Sequence, residues 1–362
     1  MNISEVIIKI ITRGILIVIG FLGAYLLFWP LNADPVAWEA PKGPEMAGQF
    51  EPNNYLADVE ILGLNNGIGP EDVAVDGVGN MYVGYDDGSI VKYDVYGKSM
   101  GVFINTKGRP LGLDFDADGL LIIADAEKGL LSADAEGNLS VLTTESDGLP
   151  FAFTDDIDIG PDGKMYFTDA SSKYHIQDYR VDLMEHQPYG RLLVYDPKTK
   201  ETATLLSGLY FANGVAVSPD GHFVLVNETS TYRIQKYWLK GEKAGQAETL
   251  IENLPGFPDG ISSNGKGIYW VALPALRKDI IDNLAGKPFL RKMLLRLPKS
   301  IQPAPDRHSF ILGIDRDGNV VHNLQYPSPE SFSPITSIEE KDGILYLGSL
   351  IYPGFARISA PE

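Results

Sequence analysis

Four residues with side-chain oxygens, Glu71, Asp155, Asn213 and Asp259, each stand eight positions before a turn glycine: Gly79, Gly163, Gly221 and Gly267. Three of the four are carboxylates, and no equivalent position holds Lys, Arg or His. Carboxylates gathered in a narrow space without a counter-ion repel one another strongly. An all-oxygen set of this kind suits a hard cation, Ca²⁺ first, with Mg²⁺ and Mn²⁺ behind it and Zn²⁺ as a further alternative. Any one of the four reads more simply as a turn cap; four in register favour a metal. A cation held there polarises a carbonyl and steadies an oxyanion. Asp259 is then the carboxylate that activates water or attacks directly, with Glu71 beside it as the second catalytic candidate. Asp72 and Asp156 directly follow Glu71 and Asp155, and strand neighbours alternate in direction. They share a second buried cation or bond to backbone amides; the spacing favours neither.

The elements that must position these residues repeat along the chain. The copies of a polar turn with glycine followed by an apolar strand read "VDGVGNMYVG", "DADGLLIIAD", "GPDGKMYFTD", "SPDGHFVLVN", "SNGKGIYWVA" and "EKDGILYLGS". Three residues after the six glycines come Tyr82, Ile122, Tyr166, Val224, Trp270 and Tyr346, so the frame holds. Repeats of 40 to 76 residues built from several strands predict an all-β fold, a six-bladed β-propeller. The innermost strand of each blade lines a central channel, where equivalent positions converge. In blades two and six the site position is apolar, Leu111 and Ile335, which favours a hydrophobic substrate over a free sugar.

Composition narrows the partners. A net charge of −18 and a pI near 4.7 argue against nucleic acid. The absence of cysteine excludes disulfides, a catalytic thiol and thiolate metal sites. From Gly14 to Ala33 no charge interrupts "GILIVIGFLGAYLLFWPLNA", a run of membrane-spanning length. Lys9 and Arg13 precede it and Asp34 and Glu39 follow. The positive-inside rule therefore predicts a single N-terminal transmembrane helix with the propeller on the exported side, periplasmic or lumenal/extracellular. The expected organisation is an anchor over 1–33, a stalk over 34–55 and a propeller over 56–362.

Two insertions interrupt the repeat. Residues 171–190 carry His175 and His186, which read as exposed loop residues or as lid groups reaching the substrate. Residues 275–300 hold seven Lys/Arg against two Asp. Phe289, Leu290, Met293, Leu294 and Leu297 there make one apolar helical face, either a rim cover or a surface for anionic lipid. No nucleophile elbow, zincin motif or phosphate-binding glycine loop occurs.

The stretches "GRPLGLDF", "YFTDASSKY", "GRLLVYDPKT", "FANGVAVSPDG", "FPDGIS" and "LYLGSL" resemble the strictosidine synthase-like branch of the six-bladed propellers. That branch includes the adipocyte plasma membrane-associated proteins, within a superfamily of gluconolactonases and paraoxonases. The resemblance covers about residues 60 to 358. It implies that Glu71, Asn213 and Asp259 fall on catalytic-metal ligands, and that Asp155 stands where the hydrolases carry Asn. It also implies that Asp72, Asp156 and the carbonyl of Leu113 match a structural calcium site. Leu111 replaces the paraoxonase histidine, and Thr336 stands where plant strictosidine synthase has its catalytic Glu. The expected function is a membrane-anchored, calcium-dependent hydrolase of hydrophobic lactones or aryl esters. A non-catalytic propeller binding a lipid or protein partner is the alternative, and strictosidine-type lyase chemistry the weaker third.

Overall fold

The structure is a computed structural model and describes residues 3–361. Helix α1 (Ile3–Phe28) has 26 residues and no buried side chain. At 1.5 Å per residue it is about 39 Å long, enough to cross a hydrocarbon core of about 30 Å.

Six four-stranded antiparallel sheets follow. Their innermost strands are Val73–Val75, Pro110–Phe115, Thr154–Ile159, Ala212–Val217, Ile261–Ser263 and Ile338–Lys341. The six-bladed expectation is met. Apolar side chains alternate toward the two faces of each sheet and fill the wedges between blades. Tyr82 and Ile90 of blade one, for example, pack against Leu121 and Ile123 of blade two. Burying one such large apolar side chain stabilises the fold by about 1.5–3 kcal/mol. The ring closes through Glu60–Leu62, which pairs with Phe355–Ser359 as the outermost strand of blade six.

A second set of aspartates caps the turns. Asp76, Asp94, Asp116, Asp134 and Asp315 each accept backbone N–H bonds from residues two and four positions on. Turn capping therefore accounts for these residues and leaves the four site residues without that role.

The innermost strands are stitched to one another by carboxylates. An inner strand has a free edge, and its N–H groups need acceptors once buried. Leu113 N–H donates to Asp72 Oδ2 (2.9 Å), and Val215 N–H to Asp156 Oδ2 (2.8 Å). Ile159 N–H donates to Asp114 Oδ2 (3.2 Å), and Val217 N–H to Asp158 Oδ2 (2.6 Å). Each bond runs from one blade's carboxylate to the next blade's backbone. The cost is charge crowding: burial and the neighbouring Asp158 hold Asp114 well above its usual range. Asp158→Asn keeps the acceptor and removes a charge, so the thermal midpoint should hold or rise. Asp158→Ala strands the Val217 N–H and should cost about 1–3 kcal/mol in denaturant unfolding.

The lid is built from three short helices and the segment after α1. These are α2 (Tyr179–Glu185), α3 (Asp279–Asp282) and α4 (Pro288–Leu295). Residues 34–55, expected as a stalk, lie against the propeller instead. Val36 N–H donates to Glu185 O (2.9 Å), and Trp38 N–H to Ala285 O (3.3 Å). Phe50 enters the core between blades four and five.

Candidate active site

Three of the inner strands change pairing register where a site residue lies, between Pro110 and Leu113, Thr154 and Ile157, and Ala212 and Val215. A bulge re-aims the side chain it carries. Leu111, Asp155 and Asn213 are thereby turned toward the channel mouth. Glycine lets the segments approach. A Cβ on Gly214 would lie 2.4 Å from Asp259 O, and one on Gly260 2.6 Å from Thr336 O. The "NG" and "DG" pairs at 213–214 and 259–260 are thus spacing devices between adjacent blades.

Glu71, Asp155, Asn213 and Asp259 all face one cavity of about 320 Å³. Its lower walls are Leu111, Phe153, Phe211 and Thr336, and its upper walls are supplied by the lid. Asp155 Oδ2 is buried with no hydrogen-bond partner. Burial first, then the charges of Glu71 and Asp259, hold Asp155 well above the usual carboxylate range. Glu71 is raised by burial, by Asp72 and by Asp259, while Arg109 pulls the other way. Asp259 is pushed up to about 7 by burial, opposed by a hydrogen bond from Asn213. Each of the three acids is thus shifted toward its neutral form, whereas a bound cation would favour the charged form. Among the described residues, no three His, Cys, Asp or Glu side chains already stand close enough to grip a metal ion. The donor chemistry fits one nonetheless: four side-chain oxygen donors, one of them an orphaned buried carboxylate oxygen, with no salt bridge to any of them among the described residues.

Arg109 escaped the sequence reading. Its guanidinium is buried, donates to Gly69 O (2.8 Å) and Pro110 O (3.2 Å), and lies within electrostatic reach of Glu71 and Asp155. Its signal was the "GRPLG" stretch, read only for resemblance.

The remaining expected site residues divide. Ile335 is fully buried in the core between blades five and six. Thr336, one residue on, takes the cavity-facing place and donates to Glu71 O (3.2 Å). Asp72, Asp156 and Leu113 come together, but Leu113 offers its N–H to Asp72. This is the backbone-amide reading of those carboxylates. His175 is exposed, with Nδ1 against Ala152 O (2.9 Å), and does not line the cavity, although the next residue, Ile176, does. His186 is buried in the cavity wall, stacked on Trp38 at 4.1 Å. Burial, then Arg291 and Arg233, lower its pKa to about 3, so it is neutral at physiological pH and no proton donor of the imidazolium kind. Trp38, Tyr232, Phe257 and Ser230 also line the cavity and were not foreseen. Ser230 Oγ is buried without a partner.

Comparison with known proteins agrees with this architecture. The strictosidine synthase family profile matches residues 155–242, and the strictosidine synthase-like N-terminal profile matches residues 48–93. The adipocyte plasma membrane-associated protein of Bos taurus is 35% identical, over 94% of this chain and 87% of its own. Protein strictosidine synthase-like 3 of Arabidopsis thaliana is 36% identical over 85% and 86%. Among solved structures, a gluconolactonase of Xanthomonas campestris superposes with a TM-score of 0.61 at 15% identity, over 91% of this chain and 98% of that one. A calcium-binding regucalcin of Agrobacterium tumefaciens gives 0.56 at 15%, over 83% and 90%. Those two share the fold. The sequence relatives decide the kinship: the chain belongs to the strictosidine synthase-like and adipocyte plasma membrane-associated protein family.

Proposed function

We propose that the protein is a divalent-cation-dependent hydrolase of hydrophobic lactones or aryl esters, retained at a membrane by α1. The observation that carries this reading is the cavity itself: an apolar enclosure with Glu71, Asp155, Asn213 and Asp259 as its polar floor. Ca²⁺ held by these four would supply Lewis-acid polarisation of the carbonyl. Phe153, Phe211 and Leu111 exclude bulk water and take the apolar part of the substrate. Asp259 is steadied by the Asn213 amide and accepts the proton of the attacking water. Glu71 is held by its place between blades six and one, where Ser337 Oγ donates to its carbonyl (2.8 Å). Thr336 stands where the resemblance places the catalytic Glu of plant strictosidine synthase, which weighs against strictosidine-type condensation.

The test is a panel of lactones and aryl esters on the full chain, with Ca²⁺ and with a chelator. A truncated propeller would lack Trp38 and the Val36 and Arg291 contacts that build the roof. Chelator-sensitive turnover of one or more substrates is the expected result. Stoichiometric Ca²⁺ binding without turnover across the panel would transfer the site to a binding role, the second reading.

A further inference from the structure

The 275–300 insertion is strongly basic in sequence, but five of its seven basic side chains are engaged by partners within the protein. Arg277 pairs with Asp282 (2.8 Å), Lys278 with Asp306 (3.0 Å) and Lys292 with Asp34 (3.1 Å). Arg291 is buried and donates to Met184 O (2.8 Å) and to Val36 O. Arg296 donates to Trp29 O (2.8 Å) and Leu26 O (2.9 Å), while Tyr25 Oη donates to Arg296 O (2.9 Å). The last carbonyls of a helix lack partners within it and carry the negative end of its dipole. Arg296 caps those of α1. The end of the apolar helix and the end of α4 are therefore fastened to each other.

What the insertion leaves outside is apolar. Phe289 is 56% exposed, Leu290 41%, Ile280 56% and Ile301 62%. Phe28 and Trp29, at the end of α1, are 77% and 58% exposed. Leu294 and Leu295 on the same α4 line the cavity. One helix thus shows one side to the candidate active site and another, unpartnered side outward beside the point where α1 ends. Wherever α1 crosses a bilayer, α4 lies at its surface, within a hydrogen bond of the helix end.

We propose that the outer face of α4, with Ile280 and Ile301, inserts into the interfacial layer of the bilayer that α1 crosses, so that the lid of the cavity rests on lipid. The contact is apolar, because only Lys287 and Lys299 of the seven basic residues stand exposed. Docking is therefore insensitive to salt and to anionic lipid, unlike a polybasic surface, whose attraction is screened within about a Debye length. The occupant is lipid because α1 brings the face to it. The proposal rests on α1 lying in the bilayer, and the experiment reads that separately.

The chain has no cysteine, so single substitutions take one nitroxide label each. Val18→Cys reports on α1, Phe289→Cys and Ile301→Cys on the docking face, and Val141→Cys on an exposed outer strand far from it. The full-length variants are reconstituted into phosphatidylcholine vesicles, with and without phosphatidylglycerol, at low and high salt. Collision with oxygen and with a water-soluble nickel complex is measured by power saturation. The expected result is loss of nickel accessibility and gain of oxygen accessibility at 289 and 301 relative to 141, equal in both lipids and both salts. Nickel accessibility at 289 and 301 equal to that at 141, with position 18 in the bilayer, overturns the proposal. So does protection confined to anionic vesicles at low salt, which means charge-driven docking. Shielding of 289 from both reagents means a protein partner covers the face. An aqueous Val18 label removes the premise, and the proposal fails with it.

Discussion

Asp259→Asn in the full chain should lower Ca²⁺-dependent turnover by about two or more orders of magnitude, the scale of removing a general base. Asp155→Asn should preserve turnover or raise it. The two residues face the same cavity, and the contrast comes from their partners. Asp259 is oriented by the Asn213 amide, and a cation beside it would keep it ionised and ready to accept a proton. Asp155 has a buried oxygen with no partner and suffers the charges of Glu71 and Asp259. Its replacement removes one of three like charges and keeps an oxygen donor. A cation bound by less negative charge polarises a carbonyl more strongly, at some loss of affinity. The comparison is made at saturating Ca²⁺, with binding followed by calorimetry, so that lost affinity is not mistaken for lost chemistry. Equal turnover in wild type and Asp259→Asn would sink the assignment.

The blades and the channel-facing positions were legible because both rest on local pattern. A turn glycine fixes the start of each strand, and a constant offset back from it marks the residue that meets the channel. The glycines after Asn213 and Asp259 mark the close approach of neighbouring blades. What stayed hidden depends on residues far apart in sequence. Glu60–Leu62 is an edge strand only because Phe355–Ser359 lies beside it. Trp38 lines the cavity only because α2 and the 275–300 insertion receive the chain after α1. The charge count of that insertion left a rim cover and a lipid surface both open, because its partners, Asp34, Val36, Leu26 and Trp29 among them, are some 250 to 270 residues away. Ile335 and Thr336 exchanged roles for a smaller reason. A fixed offset from Gly343 assumes equal geometry in every blade, and the approach to blade six differs from the others by one residue.

The stability of the cation-free protein should fall as pH rises from 5 to 8, and Ca²⁺ should offset the part of that fall that comes from the three cavity acids. Eight carboxylates on or just before the innermost strands are held above their ordinary range, chiefly by burial: Glu71, Asp72, Asp114, Asp155, Asp156, Asp158, Asp259 and Glu339. A carboxyl whose folded pKa is raised stabilises the fold fully below its unfolded value near 4. That contribution is lost as pH climbs through the folded pKa, about 6 for Asp158 and about 7 for Asp259. His186 and His308 act in the opposite sense, since burial lowers both and the unfolded chain protonates them near 6.5. They are two groups against eight, and above pH 7 they contribute no slope. Ca²⁺ binds the deprotonated site, so it competes with protons and its affinity rises with pH. At 100 times its dissociation constant it adds about 2.7 kcal/mol to the folded state. Melting temperatures of stripped and Ca²⁺-loaded protein should therefore diverge from pH 5 to pH 8, with proton release on binding detectable by calorimetry in buffers of different ionisation enthalpy. The double variant Asp155→Asn with Asp259→Asn should lessen the slope of the stripped protein and lose the Ca²⁺ increment together. A stripped wild type whose midpoint rises toward pH 8 would mean that these carboxylates are charged and already satisfied by the chain's own groups, and the channel mouth would then have no call for a cation.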